Sequence, residues 1–249
     1  MENKYISHFS QNLNRDMSIR IYGSGGVPIL VFPTQDAMSD NFANFGMIDT
    51  LSNYINNGQI QLFCVDTVDV ETWSNVWGDK NWRADRQEKY YNYIVNEVLP
   101  YIKNINATNN LPIVTGCSLG GLHTAILFFR HPELFAGMLS LSGVYDAKFF
   151  FDGWLNSTLY ENSPIDFLAN IQLDHPYIDI YNHKKIILCI GQGQWEDEGR
   201  RTTAIMRDIF QQKNINAWTD FWGYDVDHDW FWWKKQILYF LPEFLKEVS

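Results

Sequence analysis

The residues with the clearest capacity for chemistry lie in Pro112-Ile113-Val114-Thr115-Gly116-Cys117-Ser118-Leu119-Gly120-Gly121. A β-branched run enters a turn with glycine two residues either side of a serine, and a helical segment over 122–130 leaves it. This is the pattern G-x-S-x-G of a strained strand-to-helix turn, in which the flanking positions must be almost free of side chain. The helix that follows turns its free N–H groups and positive dipole end toward charge developing at the serine. A serine hydroxyl is a weak nucleophile until a base takes its proton. The usual base is a histidine held in the right tautomer by a carboxylate.

After Ser118 the histidines are His123, His131, His175, His183 and His228. His123 falls inside the helix leaving the turn, His131 precedes a proline at its end, and His175 and His183 lie in a stretch of weak periodicity. Only His228 follows the last expected strand and precedes the last helix, where a base is required. Its alternative role is a loop histidine paired with Asp225, Asp227 or Asp229. The acid should follow the preceding strand, where Glu196 and Asp197 both stand. The spacing Gly193-Gln194-Trp195-Glu196 favours Glu196, with Asp197 as the alternative; the unused carboxylate would suit a helix N-terminus. An oxyanion needs two backbone donors. One is the N–H of Leu119. The other should come from Pro33-Thr34-Gln35-Asp36, where Pro33 has no N–H, so Gln35 is preferred and Thr34 is the alternative. The Asp225, Asp227, His228, Asp229 cluster lacks a second histidine and is a poor zinc set, and calcium would want more oxygens at patterned spacing. No metal and no cofactor are expected.

The elements that must position these groups read in order. Strands are expected over 5–13, 17–22, 27–32, 60–65, 112–116, 138–141, 185–190 and 217–222. Gly23-Ser24-Gly25-Gly26 reads as a hairpin turn; it lacks the Lys-Ser/Thr of a phosphate loop and leads into a strand. Helices are expected over 41–56, where Phe42, Phe45, Ile48, Leu51 and Ile55 share a face, and over 84–105, 122–130, 199–213 and 230–246, the last kinked at Pro242. Residues 144–183 break the rhythm and read as an irregular, cap-like insertion. From Val27 onward strand and helix alternate, which predicts an α/β fold with a mostly parallel sheet covered on both faces and the site at the strands' carboxyl edge. The 249 residues suit one domain over 1–249.

Net charge of −10 with no basic cluster argues against nucleic acid or an anionic membrane as partner. No apolar run reaches the roughly 18 residues of a membrane span. Cys64, Cys117 and Cys189 lie in or beside apolar runs and read as buried thiols; with no secretory leader pattern at the N-terminus, they favour a cytoplasmic setting. A homodimer is the default expectation for assembly. Ten tryptophans are present. Trp73, Trp77, Trp82, Trp154, Trp195 and Trp230 fall in segments expected at the carboxyl edge. Of these, Trp73, Trp77, Trp154, Trp195 and Trp230 are candidate substrate-binding residues.

Taken together, Gly116-Cys117-Ser118-Leu119-Gly120-Gly121, Leu139-Ser140-Leu141-Ser142-Gly143-Val144-Tyr145-Asp146, Trp195-Glu196-Asp197-Glu198 and Trp222-Gly223-Tyr224-Asp225-Val226-Asp227-His228-Asp229-Trp230 resemble the Putative esterase family of α/β-hydrolases. That group is similar to esterase D, the feruloyl and acetyl-xylan esterases and the mycolyltransferases. The resemblance runs in order along nearly the whole chain. It implies Ser118 as nucleophile, His228 as base and a carboxylate after the 185–190 strand. Many relatives carry His-Gly where this chain has Pro33-Thr34, which leaves the second oxyanion donor less defined than the triad. The expectation is a serine carboxylic-ester hydrolase acting on small short-acyl or aryl esters through an acyl-enzyme. Two rival readings are an acyltransferase with the same triad and a non-catalytic binding protein of the same fold.

Overall fold

The computed structural model describes residues 2–246. Eight strands form one sheet: β1 (Asn3–Ser10), β2 (Arg15–Tyr22), β3 (Val27–Phe32), β4 (Ile60–Val65), β5 (Ile113–Cys117), β6 (Gly137–Leu141), β7 (Lys185–Ile190) and β8 (Trp218–Phe221). Their order is β1-β2-β4-β3-β5-β6-β7-β8. The pairs β1–β2 and β2–β4 are antiparallel, and every other pair is parallel. The turn at Gly23–Gly26 is therefore not a hairpin. It carries the chain past β4, which lies between β2 and β3, and Val27 N–H bonds to Gln59 C=O beside it.

Alternation along each strand sends side chains to opposite faces, and each face has its own core. Leu30, Phe32, Val114, Met138 and Leu188 pack with Tyr90, Ile94, Leu122, Ile126, Met206 and Phe210. Ile29, Val31, Ile113, Leu139 and Ile187 pack with Phe42, Leu51, Trp233, Ile237 and Phe240. The fold is thus α/β with helices on both faces, as the strand–helix alternation predicts.

Residues 41–56 are three short helices, α1 (Asn41–Asn44), α2 (Met47–Thr50) and α3 (Ser52–Asn56), and not one. Gly46 adopts a left-handed φ of 72° and breaks the run; Phe42, Ile48, Leu51 and Ile55 remain buried, while Phe45, expected on the same face, is exposed. Helix α4 (80–105) begins at Lys80, where the Asp79 carboxylate accepts the Trp82 N–H at 2.8 Å. It widens into a π-turn at Ile94–Val98 just before Pro100, whose missing N–H and bulky ring an ordinary turn would not accommodate. Helix α5 (Leu119–Arg130) starts directly after Ser118.

The 144–183 segment is more ordered than expected. It holds a 3₁₀ turn at Ala147–Phe151 and helices α6 (Ser157–Glu161), α7 (Pro164–Asn170) and α8 (Pro176–Asn182). Tyr145, Phe151, Leu159, Leu168 and Tyr181 are buried in the same cluster as α4 and α5, so the segment is docked into the core. The last helices are α9 (Asp197–Lys213) and α10 (Trp230–Leu245), the latter continuing past Pro242.

Candidate active site

Ser118 stands between β5 and α5 with φ 58° and ψ −125°, a region a non-glycine residue occupies only under constraint. The constraint is visible at its neighbours. A Cβ on Gly116 would lie 2.4 Å from the Gly120 carbonyl oxygen, and one on Gly120 would lie 2.5 Å from the Pro33 carbonyl oxygen. The turn therefore closes only because both side chains are absent.

The loops after β7 and β8 come to the same edge and are laced together. Gly193 N–H donates to Val226 C=O, Gln194 N–H donates to the Asp227 carboxylate at 2.7 Å, and His228 N–H donates to Gln194 C=O at 3.0 Å. A Cβ on Gly193 would sit 2.2 Å from Asp227 Oδ1, so glycine is what permits this approach. The lacing sets His228 between two partners. Its Nε2 lies 2.8 Å from Ser118 Oγ and its Nδ1 lies 2.9 Å from Glu196 Oε2. Glu196 is 1% exposed. Asp197, by contrast, points outward with 90% of its side chain exposed and pairs with Arg200. Of the other carboxylates near His228, Asp227 holds the β7 loop and Asp229 caps α10 at Phe231 N–H.

Two residues behind the acid have no counterpart in the sequence reading. Ser142, at the end of β6, donates its hydroxyl to Glu196 Oε1 at 2.6 Å, and Trp233 Nε1–H donates to Ser142 Oγ at 2.9 Å. The Trp233 ring also meets His228 edge-on, with centroids 4.9 Å apart. Ser142 has a left-handed φ of 52°. In the sequence Ser142 shows as the polar end of an apolar strand, inside one of the segments that resemble the Putative esterase family, with nothing that ties it to Glu196. Removing the Ser142 hydroxyl leaves a buried carboxylate oxygen without its donor, a loss of about 1–3 kcal/mol. Ser142→Ala is expected to lower kcat about tenfold or less with KM unchanged and to lower Tm by several degrees. Steady-state kinetics and a thermal melt check both.

On the other side of Ser118, Leu119 opens α5 and carries the helix N–H next to the serine, while the Gly121 N–H donates to Ser118 C=O. In the loop after β3, Thr34 N–H donates to Asn41 Oδ1 at 3.0 Å and Asp36 N–H donates to Asp69 Oδ2 at 3.3 Å. The Gln35 N–H between them has no protein acceptor among the described residues. That leaves Gln35, and not Thr34, with a donor available to a ligand.

Cys117, next to Ser118, is no rival nucleophile. It is buried, and burial first and the charge of Glu196 second push its thiol up from the ordinary cysteine value.

The tryptophans divide. Trp73 is 1% exposed and meets His123, Phe150 and Phe151 edge-on. It is a core residue with no face for a ligand, contrary to the expectation of a substrate contact. Trp154 stacks on Phe151, and Trp230 stacks on Phe45 at 4.8 Å, so both are largely occupied by protein. Trp77 and Trp195 are 96% and 85% exposed.

Among the described residues no group of three or more His, Cys, Asp or Glu could hold a metal ion, and no helix is long and apolar enough to cross a membrane. No curated protein matches the chain in sequence. Solved structures match its fold over nearly its whole length. A ferulic acid esterase is 15% identical with a TM-score of 0.75, covering 98% of this chain and 97% of its own. An S-formylglutathione hydrolase from Staphylococcus aureus is 15% identical with a TM-score of 0.71, covering 98% and 96%. MPT51 of Mycobacterium tuberculosis is 13% identical with a TM-score of 0.75, covering all of both chains. The family model described as Putative esterase matches residues 10–244, and the chain belongs to that family of esterases.

Proposed function

We propose that the chain hydrolyses small carboxylic esters through a Ser118 acyl-enzyme, with His228 as base and acid and Glu196 as its orienting carboxylate. The observation that carries this is the unbroken line Ser118 Oγ to His228 Nε2 and His228 Nδ1 to Glu196 Oε2, at 2.8 and 2.9 Å. His228 takes the hydroxyl proton as Ser118 Oγ bonds to the ester carbonyl carbon. The carbonyl π pair moves onto oxygen, where the N–H groups of Leu119 and Gln35 stabilise it. Collapse expels the alkoxide, which takes the proton from His228. Water, deprotonated by His228, then attacks the acyl-enzyme, and Ser118 leaves with the proton restored. The buried Glu196 keeps Nδ1 protonated, so Nε2 is the free base.

The aromatic surround supports short-acyl or aryl esters as the substrate class. Trp195 adjoins Glu196 and has φ 65°, an outlier for so bulky a residue, and its ring is held out in solvent. An exposed flat ring held beside a catalytic acid suits an aryl group or the apolar face of a sugar. Trp77 offers a second exposed ring. The names of two fold neighbours, a ferulic acid esterase and an S-formylglutathione hydrolase, likewise describe an aryl-acyl and a one-carbon acyl group.

A panel of phenyl and sugar esters of rising acyl length tests this reading. Acetyl and aryl-acyl esters are expected to give the highest kcat/KM, and Trp195→Ala is expected to raise KM for the aryl esters several-fold. A long acyl chain in an aliphatic tunnel would gain about 0.8 kcal/mol per buried methylene. A kcat/KM that keeps rising to acyl chains of about ten carbons would overturn the substrate class.

A further inference from the structure

His123 lies on α5 downstream of Ser118 and takes no part in the Ser118–His228–Glu196 line. Its Nε2 is 2.8 Å from Asp69 Oδ1, and the two side chains are only 2% and 0% exposed. Phe32 stacks on the imidazole at 5.4 Å, and Tyr90 and Trp73 meet it edge-on. An ionisable pair sunk this deep is costly to desolvate, and hydrophobic residues of similar volume would often serve stability as well. What the pair adds lies at the other carboxylate oxygen. Asp69 Oδ2 accepts the Asp36 N–H, and Asp36 has a left-handed φ of 60° in an exposed loop. A second arm runs alongside. Asp69 C=O accepts the Ser74 N–H at 2.9 Å, and Ser74 Oγ accepts from Gln35 Nε2 at 2.7 Å.

We infer that Asp69 and His123 are positioning residues that tie the 33–36 loop to α5 and so fix the spacing between the Gln35 and Leu119 N–H groups. The inference rests on the reading that those two N–H groups receive the oxyanion. Leu119 is carried by α5, and Gln35 is carried by the loop. Among the described residues Asp69 is the carboxylate that holds both, through His123 on one oxygen and Asp36 on the other. The approach of Gly120 to the Pro33 carbonyl fixes the near end of the same loop. Asp69 sets the far end.

The test separates oxyanion stabilisation from general loss of structure. Backbone N–H donors stabilise a developing oxygen anion strongly and a developing sulfur anion weakly. The wild-type protein should therefore turn over an aryl ester much faster than the matched thionoester. Asp69→Leu/His123→Leu removes both members together, which avoids stranding one buried charge. It is expected to lower oxoester kcat/KM by about 30- to 100-fold, the scale of a displaced oxyanion donor. Thionoester kcat/KM should change by less than about threefold on the same grounds, and the pH profile set by His228 and Glu196 should not move. Asp69→Asn keeps an acceptor for the Asp36 N–H and a group that can donate to the other His123 tautomer. It should stay close to wild type, with the same preference for oxygen over sulfur. A parallel fall for both substrates, or no fall for either, overturns the positioning role. Equal turnover of ester and thionoester by the wild-type protein overturns the oxyanion reading itself, and that result is visible before any variant is made.

Discussion

Ser118→Ala is expected to leave the fold intact and to cut ester turnover by about four orders of magnitude or more, the scale seen when a triad nucleophile is removed. The large effect follows from the chemistry. With no Oγ there is no atom to form the acyl-enzyme, and what remains is binding plus any stabilisation that Leu119 and Gln35 give a direct attack by water. The fold should not suffer, because the strain at φ 58° is set by Gly116, Gly120 and the start of α5, and not by the hydroxyl. Alanine at the same φ is no worse placed than serine. Far-UV spectra and Tm should therefore match wild type, and labelling by a fluorophosphonate should be lost. Turnover near the wild-type level in this variant would remove the acyl-enzyme mechanism altogether.

The parts of the fold that could be read from residues were those decided by local pattern. The runs 27–32, 60–65 and 185–190 match β3, β4 and β7 end to end. Each is almost wholly apolar and is bounded by turn residues, as a strand buried on both faces must be. The helix over 41–56 failed because helical spacing of Phe42, Ile48, Leu51 and Ile55 survives a break. Three short helices wrapped on one core keep these four residues inside, and the change shows in the backbone, at Gly46 and again at Leu51, whose ψ of 2° separates α2 from α3. The hairpin at Gly23–Gly26 failed for a different reason. A tight turn between two strands says nothing about whether a third strand from later in the chain will slide between them, as β4 does.

The site shows the same division. Ser118 and His228 could be picked out because each sits where a motif and its chain order agree. Ser142, Trp233, Asp69 and His123 could not, because their roles depend on partners distant in sequence. Ser142 meets Glu196 across 54 residues, Trp233 meets Ser142 across 91, and His123 meets Asp69 across 54. Which tryptophans are free to meet a ligand could not be read for a related reason. Aromatic content shows that rings must go somewhere, but Trp73 is covered by Phe150 and Phe151 from the 144–183 segment, while Trp195 is turned outward by its own backbone.

Glu196→Gln and Asp197→Asn are expected to differ by about three to four orders of magnitude in kcat, although the residues are adjacent, Glu196 as the N-cap of α9 and Asp197 as its first residue. Backbone geometry separates them. Trp195 is left-handed, and after it Glu196 turns inward to Ser142 Oγ and His228 Nδ1, while Asp197 enters the first helical turn facing solvent and Arg200. Replacing the Glu196 carboxylate by an amide removes the charge that stabilises the imidazolium. It also lets the amide donate to Nδ1, which would favour the tautomer with its proton on Nε2, the wrong one for a base facing Ser118. In an analogous triad that exchange costs about 10⁴-fold in kcat with the geometry unchanged. Asp197→Asn removes one exposed ion pair and a favourable charge at a helix N-terminus, each worth about 1 kcal/mol or less. Its kcat should stay within about twofold of wild type, on the principle that only interactions changed in the transition state alter it. Comparing kcat and the pH profile of the two variants decides between the residues. A crippled Asp197→Asn beside a healthy Glu196→Gln would mean that the hydrogen bond from His228 to Glu196 is not the one that orients the base.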